Sequence, residues 1–175
     1  MKPRKMTAGV FAFAANNYLN RYFASASMLR QALKRRAYRF IKKHGGTMEE
    51  ATPLIEAEIQ NQQKSGALND SFFAHTMVAE MQKHGASRLK IKQKLFQKGI
   101  DSLLIEEALK ANEESYNPKA SALKYAKKRG FGPYRAPHYN KDRFQKELAS
   151  MVRAGHSYSI SKEILSLSRE DVEKS

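Results

Sequence analysis

NDSFFAHTMVAEMQKHGASRLKIKQKLFQKGIDSLLIEEALKANEESYNP, residues 69–118, spells three helices in one grammar. Asp70 stands where an N-cap is wanted, and the apolar positions that follow include Phe73, Met77, Val78 and Met81 before Gly85 closes the segment. Ser87 introduces a second run with Ile91 and Leu95 inward and Gly99 at its end. Asp101 introduces a third, with Leu104, Ile105, Ala108 and Leu109, that stops at Asn117-Pro118. A short polar cap, apolar residues three and four apart, and a terminating glycine are helix signals, and here they agree three times in succession.

The same grammar extends both ways. Upstream, Ala14–Tyr22 reads as a helix, Ser25 or Ser27 introduces one with Leu29, Leu33, Ala37 and Phe40, and a third after Gly45-Gly46 carries Leu54, Ile55 and Ile59. Downstream come Pro118–Arg129, then Lys141–Ala154 with Phe144, Leu148, Met151 and Val152, then a helix capped by Ser157 with Ile160, Ile164 and Leu165. Gly99-Ile100-Asp101 and Gly155-His156-Ser157 hold the same place, each just ahead of a third helix. The expected fold is all-α: three tandem three-helix units over 14–68, 69–116 and 117–168, forming an elongated, curved molecule. Residues 1–13 and 169–175 read as tails, and His44–Pro53 and Gly130–Tyr139 as insertions. A unit this small buries little on its own, so neighbouring units are expected to pack together or to stay loosely coupled.

Composition limits the function. The 175 residues hold 32 Lys+Arg against 17 Asp+Glu, a formal charge of +15. Such a surplus repels itself, and a polyanion is the partner that relieves it. The absence of cysteine removes disulfides and thiolate chemistry and fits a reducing cytoplasm. No apolar run reaches membrane-spanning length. Nucleophile elbows and phosphate-cradling glycine loops are missing, and the five histidines show no ligand spacing and read as solvated helix-end or surface groups. No enzyme, cofactor or metal is expected.

Charge sorts by helix. From Met28 to Gly46 there are seven bases and no acid, and from Lys83 to Ile100 six bases and no acid. Acids gather on third helices, at Glu49, Glu50, Glu56 and Glu58 and at Glu106, Glu107, Glu113 and Glu114. Like charges on one helix cost stability, so the sorting points to a partner. The candidate binding residues are Arg30, Lys34 and Arg35, the every-fourth row Lys90, Lys94 and Lys98, and Arg143 and Lys146, beside Lys127, Lys128, Arg129, Arg135 and Arg153 in the last unit. Such stripes position a phosphate backbone or an acidic groove without reading sequence. The tyrosines of Tyr134–Tyr139 offer stacking or a structured turn.

The ordered set Gly66-Ala67-Leu68-Asn69-Asp70-Ser71-Phe72-Phe73-Ala74, Gly85-Ala86-Ser87-Arg88 and Gln97-Lys98-Gly99-Ile100-Asp101 resembles the central signature of the RecX family. Tyr18-Leu19 and Ser27–Leu33 resemble its first unit, and Ala120–Gly130 with Arg153–Ser157 its third, so the resemblance spans nearly the whole chain. The family usually carries an acid in place of Met28 and an aromatic in place of His156. The resemblance implies a regulator of the RecA recombinase. Such a protein lies in the groove of the RecA–single-stranded DNA–ATP filament, suppresses ATP hydrolysis, strand exchange and co-protease activity, and so modulates recombination, repair and the SOS response. The partners expected are the filament and its DNA, for a cytoplasmic monomer. A general DNA- or RNA-binding helical protein is the competing reading.

Overall fold

Helices account for all the regular secondary structure in the computed structural model, which describes residues 5–136 and 143–173. They are α1 (Ala8–Leu19), α2 (Ala26–His44), α3 (Met48–Lys64), α4 (Asp70–Lys83), α5 (Arg88–Gln97), α6 (Ser102–Ala111), α7 (Pro118–Arg129), α8 (Arg143–Arg153), α9 (Tyr158–Ser166) and α10 (Arg169–Glu173), with a 3-10 turn at Gly132–Tyr134. Among the described residues no helix is long and apolar enough to cross a membrane. Two compact units result: residues 5–74 with Gln97–Leu104, and His75–Phe96 with the described residues from Ile105 onward.

In the first unit α1, α2 and α3 pack pairwise around Phe11, Ala15, Leu29, Leu33, Ala37, Ile55, Ile59 and Leu68. Three alanines among the buried positions, Ala15, Ala37 and Ala51, let the helix backbones approach closely. In the second, α7, α8 and α9 enclose Ala122, Ala126, Leu148, Met151, Ile164 and Leu165, with Tyr125, Phe131 and Phe144 at the edge. Contiguous burial of one stripe per helix is the main term holding each bundle together.

Several boundaries differ from the sequence expectation. The first helix begins at Ala8 rather than Ala14, and Phe11 is fully buried, so the supposed tail contributes a core residue. The supposed insertion after His44 is mostly helix. Thr47 and Glu50 form a reciprocal capping box, with Thr47 N donating to Glu50 Oε2 at 3.1 Å and Glu50 N to Thr47 Oγ1 at 3.3 Å. That box starts α3 ahead of Pro53, which lies inside the helix. At the other end Ser168 and Asp171 exchange hydrogen bonds over α10, and Arg169 Nη2 donates to the Arg135 carbonyl at 2.7 Å, so residues 169–173 are built into the fold. Lys141, the expected start of α8, lies outside the described residues.

The cap expected from Asp70 is made by its neighbour. Asn69 Oδ1 accepts from Phe72 N at 2.9 Å, while Asp70 Oδ1 accepts from Ala26 N at 2.7 Å, capping α2 instead of its own helix. Ser25, the true N-cap of α2, accepts from Met28 N and donates its hydroxyl to the Lys98 carbonyl at 2.6 Å. The second unit repeats the device. Ser87 accepts from Lys90 N at 3.1 Å and donates to the Ala154 carbonyl at 2.6 Å. Arg88 N finds the Tyr116 hydroxyl at 3.3 Å, in the role Asp70 plays for Ala26. In both places a helix start meets a glycine turn, Gly99 against Ser27 and Gly155 against Ser87 and Leu89. Both glycines have positive φ, +72° and +89°, and neither leaves room for a Cβ.

Candidate functional site

A helix advances about 100° per residue, so α2 sorts its seven cations into directions. Its core stripe is Ala26, Leu29, Leu33 and Ala37. Arg30 and Lys34 flank that stripe on one side, Arg36 and Lys43 on the other, and Arg35, Arg39 and Lys42 point outward. The first flank meets α3. Arg30 grips Glu56 with two parallel hydrogen bonds, Nε to Oε1 at 2.7 Å and Nη2 to Oε2 at 2.9 Å. Those bonds raise the guanidinium's pKa and hold the Glu56 carboxyl below its usual range, and the Lys34 charge adds to the effect on Glu56. Arg30 is therefore a tie between α2 and α3, while Lys34 and Arg35 are exposed.

On α5 the same division recurs. Arg88 pairs with Glu113 at 2.9 Å and with Glu106 at 3.7 Å, and Lys92 pairs with Glu106. Hydrogen bonding to Lys92 is the main cause that keeps Glu106 ionised below the ordinary carboxylate value. Lys90 and Lys94 lie off this flank and are exposed. Lys98 does not continue their row. The helix ends at Gln97, and Lys98 sits half-buried in the following turn, its carbonyl held by Ser25. Arg143 and Lys146 are exposed on the first turns of α8.

Lys90 opens onto a cleft of about 570 Å³ whose other cations are Lys128 and Arg129 at the end of α7 and Arg153 at the end of α8. Lys128, Arg129 and Arg153 stand at helix C-termini, where the helix dipole favours a cation, whereas Lys90 stands in the first turn of α5, where the dipole opposes it. The Arg129 guanidinium lies 5.7 Å from the Tyr125 ring, which steadies it over an aromatic face. The lining acid, Glu80, accepts from His84 Nε2 at 2.8 Å. His156 also lines the cleft, 6 % exposed, its ring 5.2 Å from that of Tyr125 with the planes tilted by 50°. Burial lowers its pKa, so the ring is neutral at pH 7 and fills an aromatic place. That corrects its expected reading as a solvated histidine.

Neither Arg143 nor Lys146 lines this cleft, and Arg135 belongs to the interior: its guanidinium pairs with Glu147 at 2.7 Å, and Glu147 also accepts from Gly132 N at 3.1 Å. Of the residues singled out from spacing, the cleft gathers Lys90. Lys128, Arg129 and Arg153 join it because three helix ends converge, a feature that spacing within one helix does not encode. Tyr134 lies in the 3-10 turn with Lys127 Nζ 6.0 Å from its ring, and Tyr139 lies outside the described residues. Among the described residues no group of three or more histidines and carboxylates is placed to hold a metal.

Comparison with known proteins gives this arrangement its family. The family model described as RecX, second three-helix domain, matches residues 69–109. Over 165 residues, 94% of this chain and 88% of the relative, the sequence is 32% identical to a Regulatory protein RecX of Myxococcus xanthus. The chain belongs to the RecX family. A second RecX, from Agrobacterium fabrum, is 29% identical over 170 residues, 95% of this chain and 89% of the relative. No solved structure gives a significant match. Both RecX relatives are named as regulatory proteins, and the matched 69–109 segment contains Asp70, Ser87 and Gly99, three residues that tie helix starts to turns.

Proposed function

We propose that this RecX protein regulates RecA by binding the RecA–single-stranded DNA filament and inhibiting its ATPase, strand-exchange and co-protease activities. It thereby modulates recombination, DNA repair and the SOS response in the cytoplasm, as a monomer and without catalysis of its own. The observation that carries the reading is the division of each basic helix. One flank is neutralised by its own third helix through Arg30–Glu56 and Lys92–Glu106, and the other cations are left facing outward. A protein that needed only to fold has no use for the second set, because unpaired like charges on one helix oppose folding. Lys34, Arg35, Lys90, Lys94, Arg143 and Lys146 supply the binding charge, with Lys128, Arg129 and Arg153 completing the cleft around Lys90. Contacts spread along the chain suit a repeating lattice, where several weak contacts act together.

The test is RecA ATPase on single-stranded DNA, titrated with the protein. Inhibition at amounts well below one protein per RecA is expected, weakened by Lys90→Glu with Lys94→Glu and by Lys128→Glu with Arg153→Glu. No inhibition up to equimolar protein, together with ordinary salt-sensitive DNA binding, would leave a general nucleic-acid binder with no dedicated partner.

A further inference from the structure

The first 48 residues contain eleven Lys+Arg and not one Asp or Glu. Arg30 alone among the described ones spends its charge on an ion pair. Two adjoining grooves, of about 590 and 510 Å³, run between α1 and the flank of α2 turned away from α3. They share Phe13, Arg36 and Arg39, so they form one continuous face. Arg36, Arg39 and Lys43 follow one another at three- and four-residue steps, over about 10 Å of helix.

Exposed aromatic rings interleave with these cations. Phe13 is 70% exposed. It lies two residues from Phe11, about 200° round the helix, so it cannot share the core that Phe11 enters. Tyr22 is 55% exposed and lies 4.9 Å from Tyr18, with the ring planes tilted by 43°. A large ring left in water does nothing for the bundle, whereas flat faces beside guanidinium groups are what unpaired bases and their phosphates fit.

We propose that the α1–α2 face is a binding site for single-stranded nucleic acid, with bases stacked on Phe13 and Tyr22 and phosphates held by Arg21, Arg36 and Arg39. The site shares no residue with the basic cleft around Lys90 and does not depend on the filament reading, since it needs no protein partner. A duplex hides its base faces and offers this site only phosphates. An acidic peptide offers charge but no flat faces for Phe13.

The experiment uses the full chain without RecA. A short labelled oligothymidylate and a duplex of equal length are titrated by fluorescence anisotropy across a range of salt. Phe13→Ala and Tyr22→Ala should each weaken oligothymidylate binding about five-fold or more, with duplex affinity and salt slope unchanged. Arg36→Ala with Arg39→Ala should instead flatten the oligothymidylate salt slope by about 1.4. Circular dichroism checks that the variants remain folded, as the exposure of both rings leads one to expect. Unchanged oligothymidylate affinity in Phe13→Ala and Tyr22→Ala overturns the proposal, and so does polyglutamate competing as well as oligothymidylate. A protein that passes this test and still fails to inhibit RecA ATPase loses only the filament reading.

Discussion

Replacing Gly99 by alanine should damage the protein more than its size suggests. Gly99 has φ +72°, where a Cβ is strained by about 1–2 kcal/mol. Its Cβ would also stand 2.3 Å from both Cβ and Oγ of Ser27. The hydroxyl can rotate away, but Cβ is fixed to the backbone of α2, so the helix start and the turn must separate. Overpacking of that kind adds about 1–3 kcal/mol. Separation also stretches the Ser25 Oγ bond to the Lys98 carbonyl, now 2.6 Å. The sum is about 2–5 kcal/mol, a large part of the stability of an ordinary domain. Gly66→Ala isolates the backbone share: φ is +77°, yet nothing lies within 4 Å of its Cβ, so only the strain applies and the excess in Gly99→Ala is steric. The assay is urea unfolding followed by circular dichroism, for Gly99→Ala, Gly66→Ala, Ser27→Gly and the Gly99→Ala/Ser27→Gly pair. Gly99→Ala should be the worst single variant, and the pair should be more stable than the two single losses added together. A Gly99→Ala midpoint no lower than that of Gly66→Ala would refute the idea that this turn is locked onto α2.

Asp70→Ala should cost about 0.5–2 kcal/mol by uncapping Ala26 N, and Asp70→Asn, which keeps an acceptor, should cost less; thermal melting measures both. Glu56 has its folded pKa lowered by Arg30, so its contribution is present above the unfolded carboxylate pKa and is lost as pH falls through the folded value. Arg30→Met should remove that acid-range dependence from the melting curve at a cost of about 1 kcal/mol or less, because the pair is partly exposed. His156 has its folded pKa lowered by burial, so the unfolded chain takes up its proton first and stability declines as pH falls below about 6.5. His156→Phe should flatten the melting temperature between neutral pH and the acid side of that window.

The helices were legible because their signals are local. Caps, apolar spacing and glycine stops lie within a dozen residues of one another, and the α5 and α9 caps, Ser87 and Ser157, stand where the sequence puts them. Phe11 escapes the sequence reading because Val10–Ala15 is an unbroken apolar run in which no helical period stands out, and the start of α3 escapes it because Pro53 outweighs the Thr47–Glu50 box. Asp70 serves α2, two helices upstream of the one it begins. A carboxylate beside Asn69 satisfies either helix start, and only the tertiary fold decides which one receives it. The candidate site was legible as charge and illegible as geometry. Lys90, Lys128, Arg129 and Arg153 converge from three helices, and the row Lys90–Lys94–Lys98 breaks where α5 ends.

The sorting of charge by helix, visible in the sequence, acquires a cause once Arg30, Arg88 and Lys92 are seen against Glu56, Glu106 and Glu113. α3 draws off Arg30 from one flank of α2, and Glu106 and Glu113 draw off Arg88 and Lys92 from one flank of α5. These pairs are partly exposed, so each contributes little to stability by itself. Their larger effect is on what remains. By neutralising Arg30, Arg88 and Lys92 they leave the unpaired charge, Lys34 excepted, turned away from α3 and α6, so a basic helix becomes one with a direction. On α2 that direction is the groove holding Phe13, Arg36 and Arg39. On α5 it is the cleft that Lys90 shares with the ends of α7 and α8. Reversing Glu56 or Glu106 would therefore weaken the definition of each face more than it would weaken the fold, and binding should lose selectivity before the protein loses structure.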